Sequence, residues 1–418
     1  MLAKFKNFKL TQLLLVIIFI SCTVPDESSV QDTTTTTESQ DTTTTTIAPS
    51  TTTTTIAPST TITTTTTIAP STTTTIAPST TTTIAPSTTT TTIAPSTKYT
   101  DYRNIKLFRA STISDAHVNV LNEYVEYSEK TLFSDSRVKL QNLYPILIVQ
   151  TDRNNYQSAI DLETEYCDYL LEFSPTDYLS GKCNLEYNPK KSDGSIGLFT
   201  DNGQPAGSSI SGTPSDDNCC YLFISGSHDL PQHKSSMAYV TIHEMFHIFQ
   251  ISNYVDLGWS YDDRLKISGK ISGDGLEHKP YWMEGPAVYF SHLYYSRNIN
   301  NFSHFREEMR RGLFDCYCSD GKANIIDRYL NGPKLYNVTW ESDWAVGYQV
   351  GAWFIAYIIN IHGEDSIFDF WFKTQNGKLF EENFLDVYGK DYKTYVDEFE
   401  DFIRNSSKSE IMSILPSS

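Results

Sequence analysis

His243-Glu244-Met245-Phe246-His247 sets two imidazoles four residues apart, with a carboxylate directly beside the first. On an α-helix, residues at that spacing share a face, so both rings can aim a nitrogen at a single metal ion. Glu244 then stands where a carboxylate can take a proton from a metal-bound water and later pass it to a leaving amine. The flanking residues Val240, Ile242, Phe246, Ile248 and Phe249 are apolar. Two packed core histidines are the plain alternative, but an unpaired Glu244 is costly to bury in such surroundings and a nearby dication compensates it.

A catalytic zinc takes three protein ligands and keeps one position for water, so a third residue is needed. His247 is followed by Ile248-Phe249-Gln250-Ile251-Ser252-Asn253, which lacks the Gly and His of an extended H-E-x-x-H-x-x-G-x-x-H motif. Glu284, in Tyr281-Trp282-Met283-Glu284-Gly285-Pro286, is the better candidate: Pro286 fits the first turn of a helix and puts Glu284 near its start. Glu277 and His278 are the alternatives nearby.

HEMFHIFQ (243–250) and YWMEGPAVYF (281–290) together resemble the gluzincin metallopeptidases, whose signatures are H-E-x-x-H-x-x-Q and W-x-x-E-G-x-A-x-Y. The resemblance runs from Ala238 to about Tyr295, with Trp282 one place nearer the Glu than in the commonest pattern. It implies a zincin-like fold and one zinc ion held by His243, His247 and Glu284, with Glu244 as the catalytic base. A looser match at Gly347-Tyr348-Gln349-Val350-Gly351 makes Tyr348 the first choice of donor to the oxyanion of a tetrahedral intermediate. His292 lies two turns beyond Glu284 on the same helical face and reads as a packed or substrate-facing ring. One departure stands out: 36 residues separate His247 from Glu284, more than thermolysin-like or aminopeptidase-like members have. The intervening Asp256 to Pro280, rich in Gly, Ser and Asp, reads as an inserted loop near the cleft.

Periodicity supplies the elements that must hold these residues. Helical spacing covers 115–132, 156–173, 235–251, 283–297, 302–313, 343–361, 365–374 and 392–404, and apolar runs at 143–150 and 220–225 read as strands. Strands early and helices late give an α+β class, with a small mixed N-terminal sheet, an active-site helix and a mainly helical C-terminal half.

The rest of the chain explains where such a unit works. Lys4, Lys6 and Lys9 precede an apolar run, Leu13 to Ile20, too short to span a bilayer, so residues 1–22 read as an export signal. Phe19-Ile20-Ser21-Cys22 resembles a lipobox, making Cys22 the expected lipid anchor of an extracellular or cell-surface protein, with ordinary cleavage as the alternative. Residues 23–97 are a Thr/Ser/Pro-rich stalk with Ile-Ala-Pro-Ser recurring at irregular intervals, too poor in apolar groups to form a core. The domain is therefore 98–418. It keeps Cys167, Cys183, Cys219, Cys220, Cys316 and Cys318, an even set expected to form three disulfides in an exported protein. The chain carries a formal charge of -18, which disfavours nucleic acid as a partner; the gluzincin resemblance implies a protein or peptide substrate. The expectation is a secreted or surface-anchored zinc metallopeptidase. A stalked binding or adhesion module that keeps the fold without turnover, or a zinc hydrolase of some non-peptide bond, fits the stalk and cysteines equally well.

Overall fold

The computed structural model describes residues 105–139, 146–152, 155–173, 208–211, 221–227, 234–255, 261–273, 277–315 and 324–417. The leader, Cys22, the stalk and five of the six domain cysteines lie outside them; Cys167 is disulfide-bonded.

The sheet is built around a strand of apolar residues. After β1 (Ile105–Arg109) and helix α1 (Asp115–Leu132) comes β2 (Ile146–Asp152), whose first six residues are all buried. Burial on both faces marks a central strand of a parallel sheet. It is followed by α2 (Tyr156–Phe173), β3 (Ser208–Ser211) and β4 (Tyr221–Ser227), giving the order β1-β2-β4-β3. β1, β2 and β4 are parallel, with Ile146 paired to both Ile105 and Tyr221, and β3 runs antiparallel along β4. Ile146 and Ile148 join the main core with Leu121, Tyr124 and Val125 of α1, whereas Leu147 and Val149 pack on the other face with Leu162, Tyr166 and Leu170 of α2.

Everything beyond is helical among the described residues. Helix α3 (Lys234–Ser252) is buried almost without interruption from Met237 onward, as a helix apolar all round must be. The segment read as an inserted loop contains α4 (Tyr261–Ser268), an amendment with a simple cause. YDDRLKIS has no apolar stripe for periodicity to detect, and the buried Leu265 and Ile267 anchor it in the interior. Helix α5 (Tyr281–Asn298) starts earlier than Pro286 suggested, so that proline sits in the second turn. Burial of Tyr281 and Trp282 draws the first turn forward to Pro280. The helices α6 (Phe302–Phe314), α7 (Ile325–Leu330), α8 (Trp340–His362), α9 (Asp365–Thr374), α10 (Phe380–Tyr388), α11 (Tyr392–Asn405) and α12 (Lys408–Ser413) complete the unit. A mostly helical chain with a small sheet confined to 105–227 belongs to the α+β class.

Two contacts fix how the helices cross. α8 packs most extensively on α5, and the approach is close because Gly285 faces the backbone of Gly351 while Gly347 lies on the Pro280 ring. α8 also bends at Asp343, whose φ of -158° and ψ of 75° interrupt the helix. Thr339 caps the first short turn, and Arg328 holds the bend with a bidentate pair to the Asp343 carboxylate at 2.9 and 2.6 Å.

Candidate metal centre

Antiparallel neighbours α3 and α5 bring the predicted ligands together. His243 and His247 project from α3, one turn apart, toward Glu284 in the first turn of α5. His247 Nε2 lies 2.9 Å from His243 Nε2 and 3.0 Å from Glu284 Oε2, and His243 Nε2 lies 3.2 Å from the same oxygen. All three residues are buried, and among the described residues this is the one group of three such side chains close enough to share an ion. Glu284, and neither Glu277 nor His278, is therefore the partner of the two histidines within that group.

The donor set itself calls for a cation. Gln250, one turn after His247 on α3, accepts a hydrogen bond from His247 Nδ1 at 2.6 Å. That bond assigns the proton to Nδ1 and presents the Nε2 lone pair to the centre. Two imidazole nitrogens and a carboxylate oxygen thus converge on one point. A tetrahedral ion with bonds of about 2.0–2.1 Å separates its ligand atoms by roughly 3.4 Å. The observed 2.9–3.2 Å edges fit that figure to within about half an ångström. Gln250 also donates through Nε2 to the Met283 carbonyl at 3.0 Å, so one amide orients His247 and ties α3 to the residue before Glu284.

Electrostatics follow from burial and proximity. Burial pushes the His243 imidazole down to about 4 although Glu284 beside it favours protonation, so this ring is neutral near pH 7. Burial acts the same way on His247, but there the Glu284 charge outweighs it and the value rises. Burial alone would raise the Glu284 carboxyl; the two imidazoles, His247 foremost, hold it well below the usual carboxylate range instead.

Glu244 is fully buried on α3. Tyr348 comes in from α8, its ring parallel to His243 at 6.2 Å between centroids and wedged against Trp340 and Trp344. Burial first, then the charges of Glu284 and Glu244, raise the Tyr348 hydroxyl well above 10, so it remains a proton-bearing donor at any physiological pH. The glycine contacts between α5 and α8 are what permit this: Tyr348 lies between Gly347 and Gly351, the two positions where α8 touches the start of α5. His292 lies farther along α5, its ring edge-on to Tyr239 at 4.7 Å. Burial pushes it down to about 4, partly opposed by Glu308 and reinforced by His304 and Arg311. The structure places it as a neutral packed ring beyond the ligand triad.

Two contributors escaped sequence reasoning. Gln250 carried a signal, its i+3 spacing from His247, without a role attached to it. Lys270 carried none: it lies just after α4, in a segment with no periodic pattern, yet Glu284 and Glu244 are the charges that act on it. Compared with models of protein families, with curated proteins and with solved structures, the chain matches none.

Proposed function

We propose that the chain is a zinc metallopeptidase of the gluzincin type, with a zincin-like arrangement around α3 and α5, exported and working outside the cell. The convergence of His243 Nε2, His247 Nε2 and Glu284 Oε2 at 2.9–3.2 Å from one another carries the reading. A bound zinc supplies Lewis acidity, bringing the pKa of water to about 7 and polarising a carbonyl. The protein groups do the rest. Glu244, one residue from His243, accepts the proton of the attacking water and returns it to the leaving amine as the C–N bond breaks. Tyr348 keeps its proton and donates a hydrogen bond to the oxyanion formed from the substrate carbonyl. Gln250 holds His247 in the tautomer whose Nε2 is a ligand. An intact Glu244 favours turnover over mere binding, since a purely structural zinc site has no use for a buried carboxylate that is not a ligand.

Elemental mass spectrometry of the purified wild type and Glu284→Ala, side by side, tests the centre: about one zinc per chain is expected in the first and a large loss in the second. Chelator-sensitive proteolysis is expected in the wild type. Glu244→Gln is expected to keep the zinc and lose turnover by at least about 100-fold, the usual worth of general base catalysis. Zinc-free wild-type protein that is nonetheless folded, or a fully active Glu244→Gln, rejects the reading.

A further inference from the structure

α8 does not reach the centre as one straight helix. A capping box closes its first turn: the Thr339 hydroxyl accepts from the Ser342 N–H at 3.2 Å, and the Ser342 hydroxyl accepts from the Thr339 N–H at 2.8 Å. The chain then passes through the non-helical Asp343 and starts again. Asp343 Oδ1 accepts from the Val346 N–H at 3.3 Å, three residues on, which makes Asp343 the cap of the helical stretch that carries Tyr348. The same carboxylate accepts both prongs of the Arg328 guanidinium from α7, at 2.9 and 2.6 Å, and the two side chains are only 10% and 19% exposed. A bidentate pair largely out of water fixes angle as well as distance.

The bend has its result at the Tyr348 ring. Eight residues of straight helix rise about 12 Å and four rise about 6 Å. Yet the Trp340 ring lies 5.5 Å from the Tyr348 ring between centroids, nearer than the Trp344 ring at 5.9 Å. Folding the first turn back at Asp343 thus sets two indoles edge-on against one phenol, at 80° and 90°. That first turn is also held from outside α8, since the Trp340 N–H donates to the His278 carbonyl at 3.3 Å. The phenol, 4% exposed, lies parallel to the His243 ring at 6.2 Å, so an unbroken run of ring contacts leads from the bend to a residue of the ligand triad.

Resting on the peptidase reading above, we propose that the Arg328–Asp343 pair is a positioning device: it sets the bend of α8 that aims the Tyr348 hydroxyl at the oxyanion. Neither residue touches the substrate; both act through Tyr348. An oxyanion donor works in the transition state and not on bound substrate, so its misplacement lowers kcat and leaves KM in place. A displacement of about 1 Å costs up to about 100-fold.

The experiment uses the full chain loaded with zinc and a quenched fluorescent peptide that the wild type cleaves. kcat and KM per folded chain are measured for wild type, Arg328→Met, Asp343→Asn, Tyr348→Phe, and Arg328→Met combined with Tyr348→Phe, with unfolding midpoints for each. Asp343→Asn keeps a side-chain oxygen to cap Val346 and removes the charge, so it decides the matter if Arg328→Met folds poorly. Tyr348→Phe is expected to lose about 100- to 1000-fold in kcat. Arg328→Met and Asp343→Asn are expected to lose about 10- to 100-fold, with KM within about twofold of wild type. In the double variant the loss should equal that of Tyr348→Phe alone, because the pair then has no hydroxyl left to aim. Wild-type kcat in Arg328→Met and Asp343→Asn, or an Arg328→Met loss that recurs in full on top of Tyr348→Phe, overturns the inference. A fully active Tyr348→Phe overturns it as well, while leaving the zinc and Glu244 of the peptidase reading intact. If no peptide is cleaved, the peptidase reading has failed, and fluorotyrosine incorporated at Tyr348 alone judges the pair by fluorine NMR. Its resonance is expected to move when zinc is added to the metal-free wild type, and to be displaced or broadened in Arg328→Met before any zinc is added. Identical spectra of the two proteins overturn the positioning role.

Discussion

The close crossing of α5 and α8 gives a prediction whose sign can be worked out in advance. A Cβ added at Gly285 would lie 2.6 Å from the Gly351 carbonyl carbon and 2.7 Å from its oxygen. Both are backbone atoms of a buried helix, so no side chain can turn aside. Restoring ordinary contact at about 3.4 Å requires the helices to part by about 0.8 Å. Overpacking of this kind costs about 1–3 kcal/mol, and two sub-contact approaches to backbone place this case at the upper end. Replacing a mid-helix glycine by alanine returns about 1 kcal/mol, so Gly285→Ala should lose about 1–2 kcal/mol net. For a domain of this size that is roughly 2–4 °C in Tm. Gly312 on α6 is the internal control. Its Cβ would also clash, with Gln349 Oε1, but that atom ends a flexible side chain, so Gly312→Ala should be neutral or stabilising. Calorimetric melting of the metal-free proteins measures both. Gly285→Ala melting at or above wild type, with Gly312→Ala below it, would show that the glycines do not set the crossing.

Two further outcomes follow from the centre and its surroundings. Gln250→Leu removes the acceptor that fixes the His247 tautomer and the donor to Met283, and is expected to weaken zinc binding about 10- to 100-fold in a competition titration with a chromophoric chelator; unchanged affinity would mean that Gln250 only packs. His292 is held down to about 4 in the fold against an ordinary value of 6.5, so between those pH values the unfolded chain binds a proton the folded chain refuses. Its contribution is intact above pH 6.5 and is lost as pH falls, reaching about 2 kcal/mol by pH 5. His292→Phe, compared with wild type by denaturant unfolding in chelator at pH 7.5 and 5, should lose less stability on acidification; an equal loss in both proteins would place the acid sensitivity elsewhere.

How much of this was legible in the sequence depends on what kind of signal each residue leaves. α1, α2 and α9 fall at the expected residues because their apolar positions recur at helical spacing beside polar faces. The histidine pair of the candidate centre was legible for a related reason: a chemical function that needs two imidazoles on one helix face forces a fixed spacing, and the sequence displays it. β1 was missed since IKLFR is short and its exposed Lys106 and Arg109 break the alternation of a half-buried strand, and β3 since SSIS offers one apolar residue and no pattern. α7, α10 and α12 are short pieces whose burial is decided by the helices around them, which no local window contains.

Lys270 belongs to a third kind, and it shows why the inserted segment is more than a spacer. A lysine in a Gly/Ser/Asp-rich stretch carries no sequence mark that separates it from a solvated surface charge. Its backbone is placed by the left-handed Gly269 against Phe380 and by the bond from Lys279 N–H to its own carbonyl, next to the buried Ile271. The first ties the segment to a helix more than a hundred residues downstream, and the second to the residue before Pro280, which caps the start of α5. The 36 residues between His247 and Glu284 thus hold a helix and backbone ties that no local pattern announces. His243, His247 and Glu284 are held by α3 and α5, so the candidate centre rests on the part that sequence makes plain.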